Sequence, residues 1–353
     1  MEAKRHFPAL DALRGVAAIG VMTFHDGYGW SRSGYLAVDM FFLLSGFVIA
    51  LSYEQRLRER MTFAEFMGRR LIRLYPMILL GCIGGLIAYI VNSHYNANYI
   101  GEAEVAPLFL SSMALVPQIH SSPLGIETFP LNTALWSLFF ELFANITYAL
   151  GLFRWRSSVL AILVLLSLGA VVAAGSLGGN QAPNFWAGFP RVGFGFFGGV
   201  LLYRLYAAYP MAKWRLGALP LLVMLVLLLS IPIRLPMITL VPIFAVFAVI
   251  ILAGATAEVT ARMAAIGKLL GEISYPLYAL HLPLFTLTVV CCGQALHGFD
   301  KRDPLFVALS SIAILVVSYA VLKGFDEPVR KRLTRDLIER PSARRARPLS
   351  LAE

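Results

Sequence analysis

Arg14 and His25 stand eleven residues apart in an otherwise apolar run. At 100° and 1.5 Å per residue, a helix would place them within about 20° of one face and about 16 Å apart along its axis. An imidazole so placed can take a proton from a hydroxyl or act as a nucleophile, and a guanidinium can hold a developing oxyanion. Asp39, near the start of the next apolar run, is expected at the depth of His25. A carboxylate there would fix the imidazole tautomer, or would only join two helices in a satisfied pair. Arg70 and Arg73 are three apart and share a helix face, which makes a fork suited to phosphate or carboxylate oxygens. Basic residues at a cytosolic helix end also follow from topology alone. Glu141, in the middle of Leu135-Trp-Ser-Leu-Phe-Phe-Glu-Leu-Phe143, needs a partner, water or a proton, and Arg14 is one candidate partner. Tyr275, Tyr278 and His281 lie between or beside Pro276 and Pro283, a pattern that fits either an irregular helix lining a polar cavity or a simple kink. Ser45, in the second apolar run, is a further candidate for the acceptor site or the cavity wall.

The elements that carry these residues are set by the solvent. Of 353 residues, 58% are hydrophobic and 14% charged, and the mean hydropathy is +0.73, outside the range of water-soluble globular chains. Apolar runs long enough to cross hydrocarbon predict an all-α, polytopic membrane bundle with spans near 9–26, 34–53, 74–92, 132–151, 157–177, 190–208, 216–233, 238–256, 272–292 and 304–323. The run 105–117, short and bounded by Pro107 and Pro117, predicts a re-entrant or interfacial piece. Asp11 and Arg14 within the first run, and the lack of a small-residue cleavage site, predict that this span is retained. A membrane domain over 1–328 is followed by a basic cytosolic tail over 329–353.

With ten spans and cytosolic termini, 24 of the 30 Lys and Arg residues fall on the cytosolic side, as the positive-inside rule requires. The net charge of +10 is thereby explained by topology and by a tail near anionic lipid, and no nucleic-acid partner is expected. Cys82, Cys291 and Cys292 lie in apolar surroundings without metal-site spacing, which predicts buried free thiols and no metal.

Taken in order, five motifs resemble acyltransferase family 3, the integral-membrane O-acyltransferases of bacterial surface glycans and related acceptors. They are Leu10-Asp-Ala-Leu-Arg-Gly15 with His25, Val38-Asp-Met-Phe-Phe-Leu-Leu-Ser-Gly-Phe47, Arg70-x-x-Arg73-Leu-Tyr-Pro76, Leu135-Trp-Ser-Leu138 with Glu141, and Ile273-Ser-Tyr-Pro-Leu-Tyr278 through His281. The resemblance implies ten membrane helices with cytosolic termini, an acyl-CoA donor, and a requirement for Arg14 and His25. The family's Glu-x-Pro near the last span is replaced here by Asp326-Glu327-Pro328. Many relatives carry a C-terminal periplasmic hydrolase-like domain, and here the membrane domain is expected to serve the acceptor alone.

The expected reaction moves a short acyl group, acetyl by default, from acyl-CoA to a hydroxyl of a carbohydrate or lipid-linked glycan, in a bacterial inner membrane. Arg70, Arg73 and Arg14 would engage the donor. His25 would act as general base or acyl carrier, oriented by Asp39, with Arg14 or another donor holding the oxyanion. Glu141 completes the expected catalytic set. The rival expectation is a transporter or glycolipid flippase, which predicts paired broken helices in corresponding halves and no phosphate-binding fork. The acidic outer loop 93–131, with Glu102, Glu104, His120 and Glu127, is the candidate selector of a sugar.

Overall fold

In hydrocarbon a backbone satisfies its own hydrogen bonds by coiling, and the chain does so almost throughout. The computed structural model describes residues 7–26, 29–95, 101–209, 217–233, 239–296 and 299–340. Its α-helices are α1 (Pro8–His25), α2 (Ala37–Glu59), α3 (Phe63–Tyr95), α4 (Glu102–Met113), α5 (Leu135–Leu150) and α6 (Ser157–Ala174). They continue with α7 (Gly188–Ala208), α8 (Ala218–Ser230), α9 (Leu240–Thr256), α10 (Ala261–Ala295), α11 (Pro304–Val321) and α12 (Glu327–Thr334). Among the described residues, six helical segments are long and apolar enough to cross a membrane and four further apolar helices are shorter. Asp11, Arg14 and His25 lower the apolarity of α1, and it is in neither group.

The helices divide into a buried set and a peripheral one. In its most apolar stretch α2 is 72% buried, whereas α6 is 17% buried and the segment beginning with α11 is 28% buried. Leu165 and Leu166 on α6 and Leu309 and Ile312 on α11 are exposed, forming the apolar outer surface that lipid tails cover. α1 packs most extensively on α10, and α2 on α7. The second contact is built on small residues. A methyl group added at Gly46 would overlap the Phe196 carbonyl, and one at Gly199 would overlap the Leu43 carbonyl. Such crossings let helix backbones approach closely where no hydrophobic force drives them together. Gly46→Val is therefore expected to lower the melting temperature in detergent, at about 1–3 kcal/mol or more of overpacking. Gly68→Ala, at a helical position with nothing within 4 Å of the new methyl, is expected to be neutral or slightly stabilising in the same measurement.

Two spans are longer than their apolar runs. α3 begins at Phe63, eleven residues before the predicted span, because Thr62 and Glu65 form a reciprocal cap: each backbone N–H donates to the other's side chain at 3.2 Å. α10 begins at Ala261, with the Thr260 hydroxyl accepting from the Met263 N–H. Hydropathy marks the apolar stretch of a helix and not its wet end. α4 runs back along α3 until the Tyr75 hydroxyl donates to the Met113 carbonyl at 2.7 Å, which makes the 105–117 region a returning arm.

The returning chain also repairs α10. Pro283 has no N–H for the Ala279 carbonyl, and the Asn132 amide donates to that carbonyl at 2.9 Å and to the Gly81 carbonyl at 3.1 Å. One side chain thus ties α3, α10 and the α4–α5 connection together. At the other end of the bundle, Glu54 of α2 accepts from Arg58, from Arg204 of α7 at 3.0 Å and from the Tyr148 hydroxyl of α5 at 2.9 Å. After α11 the helix continues through a π-wound turn (Leu322–Asp326), α12 and a second such turn to Glu339. The tail residues 341–353 lie outside the described residues, as do Lys4, Arg5, Lys213, Arg215 and Arg234 and the side chain of Glu102. Cys82 is buried as expected, but Cys291 is exposed, because its face of α10 is turned outward.

Candidate active site

Because α3 is already wound at its polar start, Arg70 and Arg73 do share a face. They line a cavity of about 1000 Å³ together with Arg56 of α2, Arg69 of α3 and Arg330 of α12. Arg330 is held there by Asp326, four residues back, at 2.8 Å, and Asp326 is fully buried. The Nε atoms of Arg69, Arg70 and Arg330 are buried without a hydrogen-bond partner. Converging guanidinium groups with unused donors suit an anion with several oxygens.

This mouth continues inward. Arg70, Arg73, Val48 and Ile49 also line a second cavity of about 150 Å³, with Arg14, Ser45, Ser137, Glu141, Ser274, Tyr275 and Tyr278 among its other walls. Arg14 donates through Nε to the Ser274 hydroxyl at 3.0 Å and through Nη2 to the Gly271 carbonyl at 2.6 Å, and it pairs with Asp11 at 3.1 Å. Glu141 takes its hydrogen bonds elsewhere than from Arg14: one oxygen accepts from Arg70 and from the Ser45 hydroxyl, each at 2.9 Å. Arg70 on the facing helix reaches Glu141 directly, while Asp11 lies one turn from Arg14 on α1 itself. Arg73 lies over the Tyr275 ring, 5.7 Å from its centre, and the Tyr275 hydroxyl donates to the Leu74 carbonyl. The cavity is floored where the Tyr278 hydroxyl meets the Ser137 hydroxyl at 2.5 Å and Phe41 packs edge-on against the Tyr278 ring.

Beyond that floor lie two imidazoles. His25, exposed at the last turn of α1, has its ring centre 5.3 Å from that of buried His281 on α10. Arg14 and His25 therefore both face α10, as their spacing on one stripe predicts. They part at the inner cavity: Arg14 lines it and His25 does not. Tyr278 and His281 fill the interval, with ring centres 5.9 Å apart.

Asp39 does not orient His25. Both of its oxygens are taken by Arg191 of α7, at 2.8 Å each, and both residues are buried. The Arg191 guanidinium also lies over Trp136 at 4.9 Å and donates to the Gly178 carbonyl at 3.2 Å. A fully buried carboxylate is better compensated by a bidentate guanidinium than by a neutral imidazole. Arg191 is one site residue that spacing does not reveal, because it contacts Asp39 only through the fold. Arg330 was more legible: an acidic and a basic residue at i and i+4, beside the Asp-x-Pro motif, predict a pair. Ser137 and Ser274 lie within two of the motifs, whereas Arg56 and Arg69 carry no such signal. Among the described residues, no three or more His, Cys, Asp or Glu side chains are grouped to hold a metal ion.

A family profile described as an acyltransferase domain matches residues 7–323. Protein 2 in the picA locus of Rhizobium radiobacter is 34% identical over 183 residues, covering 47% of this chain and 92% of that protein. The O-acetyltransferase OatA of Staphylococcus aureus is 32% identical over 195 residues, covering 52% of this chain and 32% of that protein. Peptidoglycan O-acetyltransferase OatA of Listeria monocytogenes is 32% identical over 77 residues, 21% of this chain and 12% of the relative. The aligned part thus spans about a third or less of the OatA proteins' own length. No solved structure matches. With its helical membrane bundle and a profile match over nearly its whole length, the chain belongs to acyltransferase family 3.

Proposed function

We propose that this protein is a membrane O-acyltransferase that moves a short acyl group, acetyl first, from acyl-CoA to a hydroxyl of a carbohydrate or lipid-linked glycan. The observation that carries the reading is the five-arginine mouth, with its unused Nε donors, opening onto a narrower cavity that leads toward two imidazoles. The donor's phosphates sit among Arg56, Arg69, Arg73 and Arg330. Its thioester arm runs inward past Arg14 and Glu141. A turn of the Tyr278 ring opens the floor and brings the acyl carbon toward His25.

His25 takes the acceptor's proton as the hydroxyl oxygen bonds to the acyl carbon and the carbon–sulfur bond breaks; the departing thiolate then receives that proton. Trapping of an acylated His25 in a pulse with labelled donor would make it the carrier instead. Arg14, which lines the inner cavity about 16 Å along α1 from His25, stands beside the arm and not at the acyl carbon, and its part is to bind the donor. The termini and the arginine mouth are cytosolic in this reading, and the acceptor meets His25 from the far side of a bacterial inner membrane. The lipid bilayer is the remaining partner.

The test is transfer of label from acetyl-CoA to a glycan acceptor by purified protein in detergent or vesicles. Arg73→Gln is expected to raise the KM for acetyl-CoA about tenfold to a hundredfold, the worth of one charge-assisted hydrogen bond, with a smaller change in kcat. No label transfer from acetyl-CoA would remove acyl-CoA as the donor, and a KM unmoved by Arg73→Gln would remove Arg73 from the donor site.

A further inference from the structure

His281 is only 1% exposed, and its two ring nitrogens are in different situations. Nδ1 lies 2.8 Å from the Tyr278 carbonyl and 3.2 Å from the Leu277 carbonyl. Carbonyl oxygens only accept, and so Nδ1 must carry the hydrogen. Nε2 is buried with no hydrogen-bond partner. A proton on Nε2 as well would make an imidazolium with no anion against it among the described residues, which burial disfavours far more than an idle lone pair. The ring is therefore the Nδ1–H tautomer, and the helix backbone fixes it in that form. Its unused acceptor belongs to a ring whose neighbour, 5.3 Å away and tilted by 40°, is His25.

An acceptor that is buried, fixed in tautomer and left without a donor is unusual, because buried polar atoms are nearly always paired. The separation of the two rings lets their nitrogens meet in one hydrogen bond once the His25 ring turns. We propose that His281 is the positioning residue for His25: its Nε2 accepts the His25 N–H and leaves the second His25 nitrogen as the lone pair that faces the acceptor hydroxyl. His281 thereby fills the role that a carboxylate has in a Ser-His-Asp triad and that Asp39, tied to Arg191, does not fill here. The inference rests on the reading that His25 performs the proton transfer. In that step the hydroxyl proton goes to the free nitrogen of His25 and then to the departing thiolate, while His281 keeps its Nδ1 proton throughout. A neutral orienting group has a chemical consequence: it fixes geometry without the added stabilisation that a carboxylate gives an imidazolium.

The test compares wild type, His25→Ala, His281→Asn and His281→Gln in acetyl transfer, with melting temperature and acetyl-CoA binding measured on each. Asn sets its amide near the Nδ1 position and offers nothing at Nε2, whereas Gln carries its amide out to where Nε2 lies. His281→Asn is expected to lose about a hundredfold in kcat, at the low end of general-base effects, with KM for acetyl-CoA unchanged. His281→Gln is expected to recover at least tenfold of that loss. Full activity in His281→Asn, or equal loss in both variants, overturns the assignment. An inactive wild type, or an active His25→Ala, overturns the underlying reading instead. Should neither His281 variant fold, nitrogen NMR of the wild-type protein with labelled histidine decides. A resonance assigned to His281 in the Nδ1–H form supports the proposal, and the Nε2–H or doubly protonated form overturns it.

Discussion

His25→Ala is expected to reduce acyl transfer by about 10²–10⁴, the range for removing a positioned proton acceptor, while the protein stays folded and keeps its affinity for acetyl-CoA. Both halves of the expectation come from where His25 sits. It is exposed on the last turn of α1, so truncation opens no internal cavity, and a surface change of this kind alters stability by only about 0.5 kcal/mol. The arginine-lined mouth is at the far end of the bundle from the His25 ring, with the inner cavity and Tyr278 between them. Loss of kcat with unchanged donor KM is the signature of an interaction made only at the reacting centre. Unchanged turnover would take His25 out of the chemistry.

Removing Arg191 is expected to have the largest effect on stability. Arg191→Met leaves Asp39, fully buried, without its bidentate partner, and stranding one member of a buried pair costs about 3–5 kcal/mol. Arg191 also lies over Trp136 and ties down the Gly178 carbonyl, so its loss loosens α2, α5 and the loop before α7 together. The measurement is the yield of folded protein and its melting temperature in detergent. Adding Asp39→Asn to Arg191→Met is expected to restore much of the loss, because the stranded charge is then gone and the cycle isolates the pair. If the double variant is as unstable as the sum of the singles, the two residues do not act as a pair. Neither substitution touches His25, and any activity that survives should keep its donor KM.

The membrane character, the helices and the stripe shared by Arg14 and His25 were legible because hydropathy and helical period are local properties of the chain. The wet ends of α3 and α10 were not, since a capping box extends a helix past the point where hydropathy stops reporting it. Partner choice was the least legible feature. Asp39 and His25 have compatible chemistry, yet Asp39 binds Arg191, 152 residues away in sequence. Glu141 likewise chooses Arg70 over Arg14, a matter of which guanidinium the packing brings within reach. The unpaired Ala279 carbonyl follows from covalent structure, because Pro283 has no N–H; only the identity of the rescuer, Asn132, required the fold.

The Tyr278–Ser137 contact has a bearing on how the cell tolerates such a protein. A water-filled shaft from a cation-rich vestibule to the opposite surface would conduct ions and short-circuit the energised membrane. If the proposed reaction holds, a Tyr278 ring that turns aside only while the thioester arm passes would work like an airlock, and the electrochemical gradient would survive each turnover.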